Sequence, residues 1–164
     1  MERVACAGGD RYAAADDCTA HRAPRDAHDS GCRVAGRGEV LRGFDDQALV
    51  WWESLGCFRT HMGLDIAGEA GQAVVCCADG KVKSSTWDEL WGWRVMIEQP
   101  DGRQVTYSGL ESSVVSIGES VTRGQTIGTL LSRIPCEGEM STHLHLQVRN
   151  KGAAQDPEAM LPER

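Results

Sequence analysis

Hydrophobic and polar positions alternate most cleanly at Thr142–Val148, where His143, His145 and Gln147 share one face and Leu144, Leu146 and Val148 the other. A period of two predicts an extended strand with a buried side. Gly92–Glu98 repeats the pattern, with Trp93, Val95 and Ile97 on one face. Pro100-Asp101-Gly102 then predicts a turn, because Pro sets φ and Gly accepts a positive φ, and Arg103–Leu110 returns as the partner strand. Ala73–Ala78 is a β-prone run, followed by Asp79-Gly80, which predicts a hairpin into Lys81-Val82-Lys83. Glu39–Phe44 and Ala48–Trp52 read as short extended pieces, and Gly118–Val121 and Gly124–Gly128 as small units punctuated by glycine. Asp156–Leu161 predicts one helical turn entered by Asp-Pro. No long helical period appears. The predicted class is all-β: short antiparallel strands in a sandwich or partly open barrel.

Residues 1–38 break this pattern. They contain no Leu, Ile, Phe or Trp, and their six Arg balance six acidic residues. Such a stretch has too little to bury to offset its ordering entropy. The reading is a disordered leader, or a start placed upstream of the domain, over residues 1–36, with one domain over 37–162. Cys6, Cys18, Cys32, His21 and His28 lie in the leader at spacings that fit no compact metal-ligand pattern.

The net charge of −7 therefore falls on residues 39–164, which argues against a nucleic-acid partner held by a broad basic surface. No run of apolar residues is long enough to span a membrane, and no signal-peptide pattern is visible. Seven cysteines cannot all pair within the chain, and there is no Cys-x-x-Cys. Cys57 and Cys136 flank the motifs described next and could meet as a disulfide or as thiols near a metal. Small packed residues are the simpler reading.

Outside the leader, histidine occurs in two clusters: His61-Met62-Gly63-Leu64-Asp65 and His143-Leu144-His145. Strand positions two or four apart point the same way, so His61 can share a face with Asp65, and His143 with His145. Two such strands side by side would aim three imidazoles and a carboxylate at one point. Zinc accepts these donors at about 2.0–2.2 Å; three protein ligands with an open position suit catalysis, and four make a closed site.

These residues resemble the LytM/lysostaphin family of zinc peptidoglycan endopeptidases. The resemblance covers about residues 35–161. It rests on His61, Gly63 and Asp65; on Ala73 through Val82; and on Gly92, Val95 and Ile97. It continues through Gly118, Val121, Gly124, Gln125, Ile127 and Gly128, then His143-Leu144-His145, and closes with Asp156-Pro157. It implies the LytM-type fold, zinc held by His61, Asp65 and His145, His143 as a catalytic residue, peptidoglycan peptides as substrate, and an extracytoplasmic location.

One position departs from the pattern. The family carries Tyr-x-His-Leu on the strand after the Pro-Asp-Gly turn, whereas this chain reads Tyr107-Ser108-Gly109-Leu110. Gly109 has no donor, acceptor or proton to offer. Losing a positioned acid or base costs about 10²–10⁴ in rate, so feeble hydrolysis or none is expected. Tyr107, Ser108 and Glu111 are the nearby groups that could substitute. The expectation is also that a histidine at 109 would be accepted, provided φ there is negative.

The approach to His61, Gly38–Leu41, Leu49–Trp52 and Phe58–Thr60, is similar to forespore-membrane LytM proteins of sporulation. Some of these have degenerate sites and act as scaffolds for a membrane-associated partner. Two classes follow: a non-hydrolytic zinc-binding LytM module, and an active zinc endopeptidase. The glycine spacing at 118–128 also resembles biotinyl and lipoyl carriers, but Lys81, Lys83 and Lys151 lack a carrier setting.

Overall fold

The structure, a computed structural model, describes residues 38–160 and the backbone of Arg33–Val34. The strands are β1 (Arg33–Val34), β2 (Val40–Arg42), β3 (Asp45–Trp52), β4 (Cys57–His61), β5 (Leu64–Ala67), β6 (Ala73–Val75) and β7 (Gly80–Asp88). They continue with β8 (Gly92–Glu98), β9 (Arg103–Ser113), β10 (Ser120–Val121), β11 (Thr126–Leu130), β12 (His143–Asn150) and β13 (Ala153–Gln155). Single 3-10 turns cover Glu53–Leu55, Pro135–Glu137 and Pro157–Met160. None of the described helices is long and apolar enough to cross a membrane.

One antiparallel sheet runs β1-β6-β11-β9-β12-β5-β2 without closing, with β8 and then β7 and β10 extending from β9, and β13 on β12. β3 and β4 form a separate hairpin turned by Glu53–Leu55 and by Gly56, whose φ is +60°. The all-β expectation holds, and so does the turn at Pro100–Gly102: Gly102 has φ +85° and its N–H donates to Gln99 O at 2.9 Å. The hairpin expected at Asp79-Gly80 does not form. β6 pairs with β1 and β11, and β7 pairs with β8 and β10, so the two runs are connected without being partners. Gly80 is instead a close-packed strand residue: a Cβ there would lie 2.6 Å from Glu98 O.

β1 lies within the stretch read as a leader, pairing Arg33 with Val75 and Val34 with Val74. The leader's cysteines and histidines lie outside the described residues.

Leu144, Leu146 and Val148 of β12 enter the main core with Leu64, Val95 and Tyr107. The Cys77 N–H donates to the Tyr107 hydroxyl at 3.0 Å, so this buried ring carries its polar tip at no unsatisfied cost. A second, smaller cluster of Trp52, Ile134 and Cys136, with Leu55 and Trp91 against it, borders the other face of β12.

β9 is the strand on which the site's geometry turns. Along the edge opposite β8, residues 103–108 pair with β12 and residues 110–113 pair with β11. The exchange of partners falls at Gly109. There Ser108 and Gly109 together oppose Arg94, since Val95 pairs with Tyr107 and Trp93 with Leu110. This is a bulge, and Gly109 has φ +83°.

Candidate functional site

The structure brings His61, Asp65, His143 and His145 together. His145 lies directly across from Asp65 in the β12–β5 pairing, which sets its Nδ1 2.7 Å from Asp65 Oδ1. His61 closes β4 and Asp65 lies in β5, so these two do not share one strand as expected. The break at Met62-Gly63 still returns His61 Nε2 to within 3.2 Å of Asp65 Oδ2. Gly63 permits this: a Cβ there would meet His145 Cε1 and Nε2 at 2.6 Å and Leu146 O at 2.9 Å. Gly63→Ala should therefore cost about 1–3 kcal/mol by overpacking and displace the His145 ring. A urea titration measures the first effect and a zinc competition assay the second; unchanged midpoint and affinity would refute this account of Gly63.

A fifth side chain joins them that spacing did not flag. Glu137 ends the 3-10 turn Pro135–Glu137 in the connection between β11 and β12 and is fully buried. Its Oε2 lies 3.0 Å from His143 Nε2 and 3.5 Å from His145 Nδ1, and its Oε1 lies 3.8 Å from His61 Nε2. The loop is fixed by Cys136 N–H donating to Leu90 O at 3.0 Å and Gly138 N–H to Ser54 Oγ at 3.1 Å. Arg42 of β2 approaches from the rim, with Nη1 3.6 Å from Glu137 Oε1 and Nε 4.0 Å from Asp65 Oδ2.

The ring orientations are set from behind. His61 Nδ1–H donates to Gly43 O at 2.6 Å, which leaves the Nε2 lone pair facing inward. His143 Nδ1 is 2.7 Å from Ser141 O, so both of its nitrogens have acceptor partners. Burial alone would lower the His143 pKa, but the hydrogen bond to Glu137, the Asp65 charge and the contact with Ser141 O together outweigh it and raise the pKa above the usual value. Burial likewise opposes the charge on His145, yet Asp65 and Glu137 push it up to about 9. Burial would raise both carboxyls. Hydrogen bonds from the imidazoles win and hold Asp65 and Glu137 below the usual range.

Three buried atoms at the centre, His61 Nε2, Asp65 Oδ2 and Glu137 Oε1, have no hydrogen-bond partner. One ligand atom from each of His61, Asp65, Glu137 and His145 fits within 4.8 Å of the others. The nearest donor, the equally unpartnered Arg42 Nη1, stands 3.6 Å from Glu137 Oε1, too far for a hydrogen bond. Inward lone pairs of this kind are what a bound divalent cation would satisfy, and nitrogen–oxygen donors suit zinc.

Trp91 lies over His145 with ring centroids 4.4 Å apart, and Trp52 packs against both Trp91 and His61. Trp93 packs on the main core and Trp87 is exposed beside it. Every imidazole and carboxylate of the cluster is at most 3 % exposed. None of the three groups considered as substitutes for the missing histidine reaches the centre. The Tyr107 hydroxyl bonds Cys77, Ser108 Oγ accepts from Arg94 Nε at 3.3 Å, and Glu111 is exposed. Cys57 and Cys136 are free thiols, and burial first, then the Glu137 charge, pushes the Cys136 pKa up to about 12. It is a packed thiol, not a thiolate.

The chain and its all-β fold match known proteins. Residues 59–157 match the model of peptidase family M23, and the chain belongs to that family, the LytM/lysostaphin type. It is 35% identical over 105 residues to the murein hydrolase activator NlpD of Salmonella dublin, covering 63% of this chain and 27% of that protein. The chain thus spans about a quarter of the length of the curated relatives it matches first. Among solved structures, the SpoIIQ–SpoIIIAH pore-forming complex superposes with a TM-score of 0.70 at 22% identity, over 83% of this chain and 93% of that one. A zinc-containing peptidase from Vibrio cholerae gives 0.64 at 25% identity, over 78% and 38%.

Proposed function

We infer that this chain is a zinc-binding LytM-type domain of the bacterial cell envelope that binds but does not hydrolyse peptidoglycan peptides. It would act as a scaffold, in the wall or in sporulation, for a membrane-associated protein partner. His61, Asp65 and His145 would hold the zinc; with those three ligands alone it would keep an open position, from which it could polarise a peptide carbonyl. His143 would stand beside it. The observation that carries the non-hydrolytic reading is Gly109: the position where the family places its second catalytic histidine is a buried glycine at φ +83°. His143 is left without that partner, and its Nε2 is already committed to Glu137.

The relative NlpD is named an activator of murein hydrolases, which fits a wall-related role of this kind. The converging histidines and the likeness to a zinc-containing peptidase favour the second reading, an active endopeptidase cutting wall cross-links.

Digestion of purified peptidoglycan, with zinc measured on the same sample, separates them. The expected result is close to one zinc per chain and no released peptides above a metal-stripped control. Release at a rate like that of lysostaphin run in parallel would overturn the scaffold reading.

A further inference from the structure

We propose that Glu137 is a fourth protein ligand of the metal site, so that the site is closed. This rests on the zinc-binding part of the function proposed above and extends it to why the site would be inert.

The argument is geometric. Donors arranged tetrahedrally around zinc at about 2.0–2.1 Å stand about 3.4 Å from one another. Across the cluster, His61 Nε2 to Asp65 Oδ2 is 3.2 Å, His61 Nε2 to Glu137 Oε1 is 3.8 Å and His145 Nδ1 to Glu137 Oε2 is 3.5 Å. Asp65 Oδ1 and His145 Nδ1 are closer, at 2.7 Å. These pairs use both oxygens of each carboxylate; taken one atom per residue, the four donors all lie within 4.8 Å of one another, so Glu137 belongs to the set that converges on one point. A general base acting through a water would sit one water diameter further out.

Its burial agrees. Glu137 is wholly inaccessible and its Oε1 has no hydrogen-bond partner; that atom lies 3.8 Å from the equally unpartnered His61 Nε2 and 3.6 Å from the unpartnered Arg42 Nη1. Two carboxylates that repel one another are held together at the end of a well-anchored turn. The imidazoles hydrogen-bond one oxygen of each carboxylate, Asp65 Oδ1 and Glu137 Oε2, and leave the other without a partner. A shared cation would supply it, whereas the Arg42 guanidinium, 3.6 Å from Glu137 Oε1 and 4.0 Å from Asp65 Oδ2, is too far to hydrogen-bond either. Four protein donors leave no position for an exchangeable ligand, which is the structural rather than the catalytic form of a zinc site.

The test uses the wild-type chain and Glu137→Gln, which keeps the volume and an acceptor for His143 but removes the anionic ligand. Each is loaded with cobalt(II) and titrated with thiocyanate while the visible spectrum is followed, and zinc affinity is measured by chelator competition. Wild type should show no spectral response to thiocyanate. Glu137→Gln should respond with a saturable shift, and its zinc affinity should fall by at least about 10–100-fold.

A saturable wild-type response, or unchanged zinc affinity in Glu137→Gln, overturns the fourth ligand and leaves the zinc-binding domain standing. Failure of the wild type to take up either metal overturns both. The wild-type titration needs no variant, so it decides the matter even where Glu137→Gln does not fold.

Discussion

His145→Ala should empty the metal site: zinc by elemental analysis should fall from close to one per chain to near zero, and His61→Ala should behave likewise. The two rings meet edge to face, with centroids 5.2 Å apart, but are held from different strands. His145 lies across from Asp65 in the β12–β5 pairing, and His61 is aimed by Gly43 O from the end of β4. Removing either takes away one of the nitrogen donors that converge on Asp65 and Glu137. The same experiment has a stability arm. With zinc at about a hundred times its Kd, binding adds about 2.7 kcal/mol to the folded state. A chelator should therefore lower the melting temperature of the wild type and leave that of His145→Ala in place. Equal zinc content in wild type and both variants would remove the ligand assignment, and a melting temperature indifferent to chelator would remove the zinc altogether.

Much of this site is legible in the chain because it is local. The alternation in Thr142–Val148 places both histidines opposite Leu144 and Leu146, and the structure keeps that division. The pairing of His61 with Asp65 follows from spacing, although a break in the strand, not its continuation, brings them together. What is illegible is carried by long-range packing. Glu137 sits in a loop where an acid is ordinarily solvated, and only the anchoring of that loop to Leu90 and Ser54 buries it. Arg42 reaches the cluster because β2 pairs with β5, which no periodicity announces. Asp79-Gly80 has turn chemistry but no hairpin, because the ladder positions of β6 are taken by β1 and β11 and those of β7 by β8 and β10. The positive φ of Gly109 depends on β9 changing partners there, a property of three strands and not of one.

Gly109→His should destabilise the domain and should not restore hydrolysis. From the sequence, position 109 lacks an imidazole and little else; the structure shows a site with no room for one. At φ +83° a side chain is strained by about 1–2 kcal/mol. The new Cβ would lie 2.5 Å from Ile134 Cδ1, 2.9 Å from its Cγ1 and 3.1 Å from His143 O. Ile134 cannot simply swing aside, since it is buried with Trp52 and Cys136 in the cluster that backs the metal residues. The backbone is pinned as well: Gly109 N–H donates to Trp91 O at 2.8 Å and Leu131 N–H donates to Gly109 O at 2.9 Å. Overpacking of this kind adds about 1–3 kcal/mol, for a total loss of about 2–5 kcal/mol. Against a typical stability of about 5–15 kcal/mol, that is a large drop in the urea midpoint. Truncating the neighbour should show whether the clash is the cause. The double variant Gly109→His/Ile134→Ala should lose less than the sum of the two single losses, because the deleted Cγ1 and Cδ1 are the atoms the new side chain strikes. Strict additivity would locate the strain in φ alone. A Gly109→His chain with wild-type stability, one zinc and new release of wall peptides would show instead that a single imidazole is all that separates this domain from an active endopeptidase.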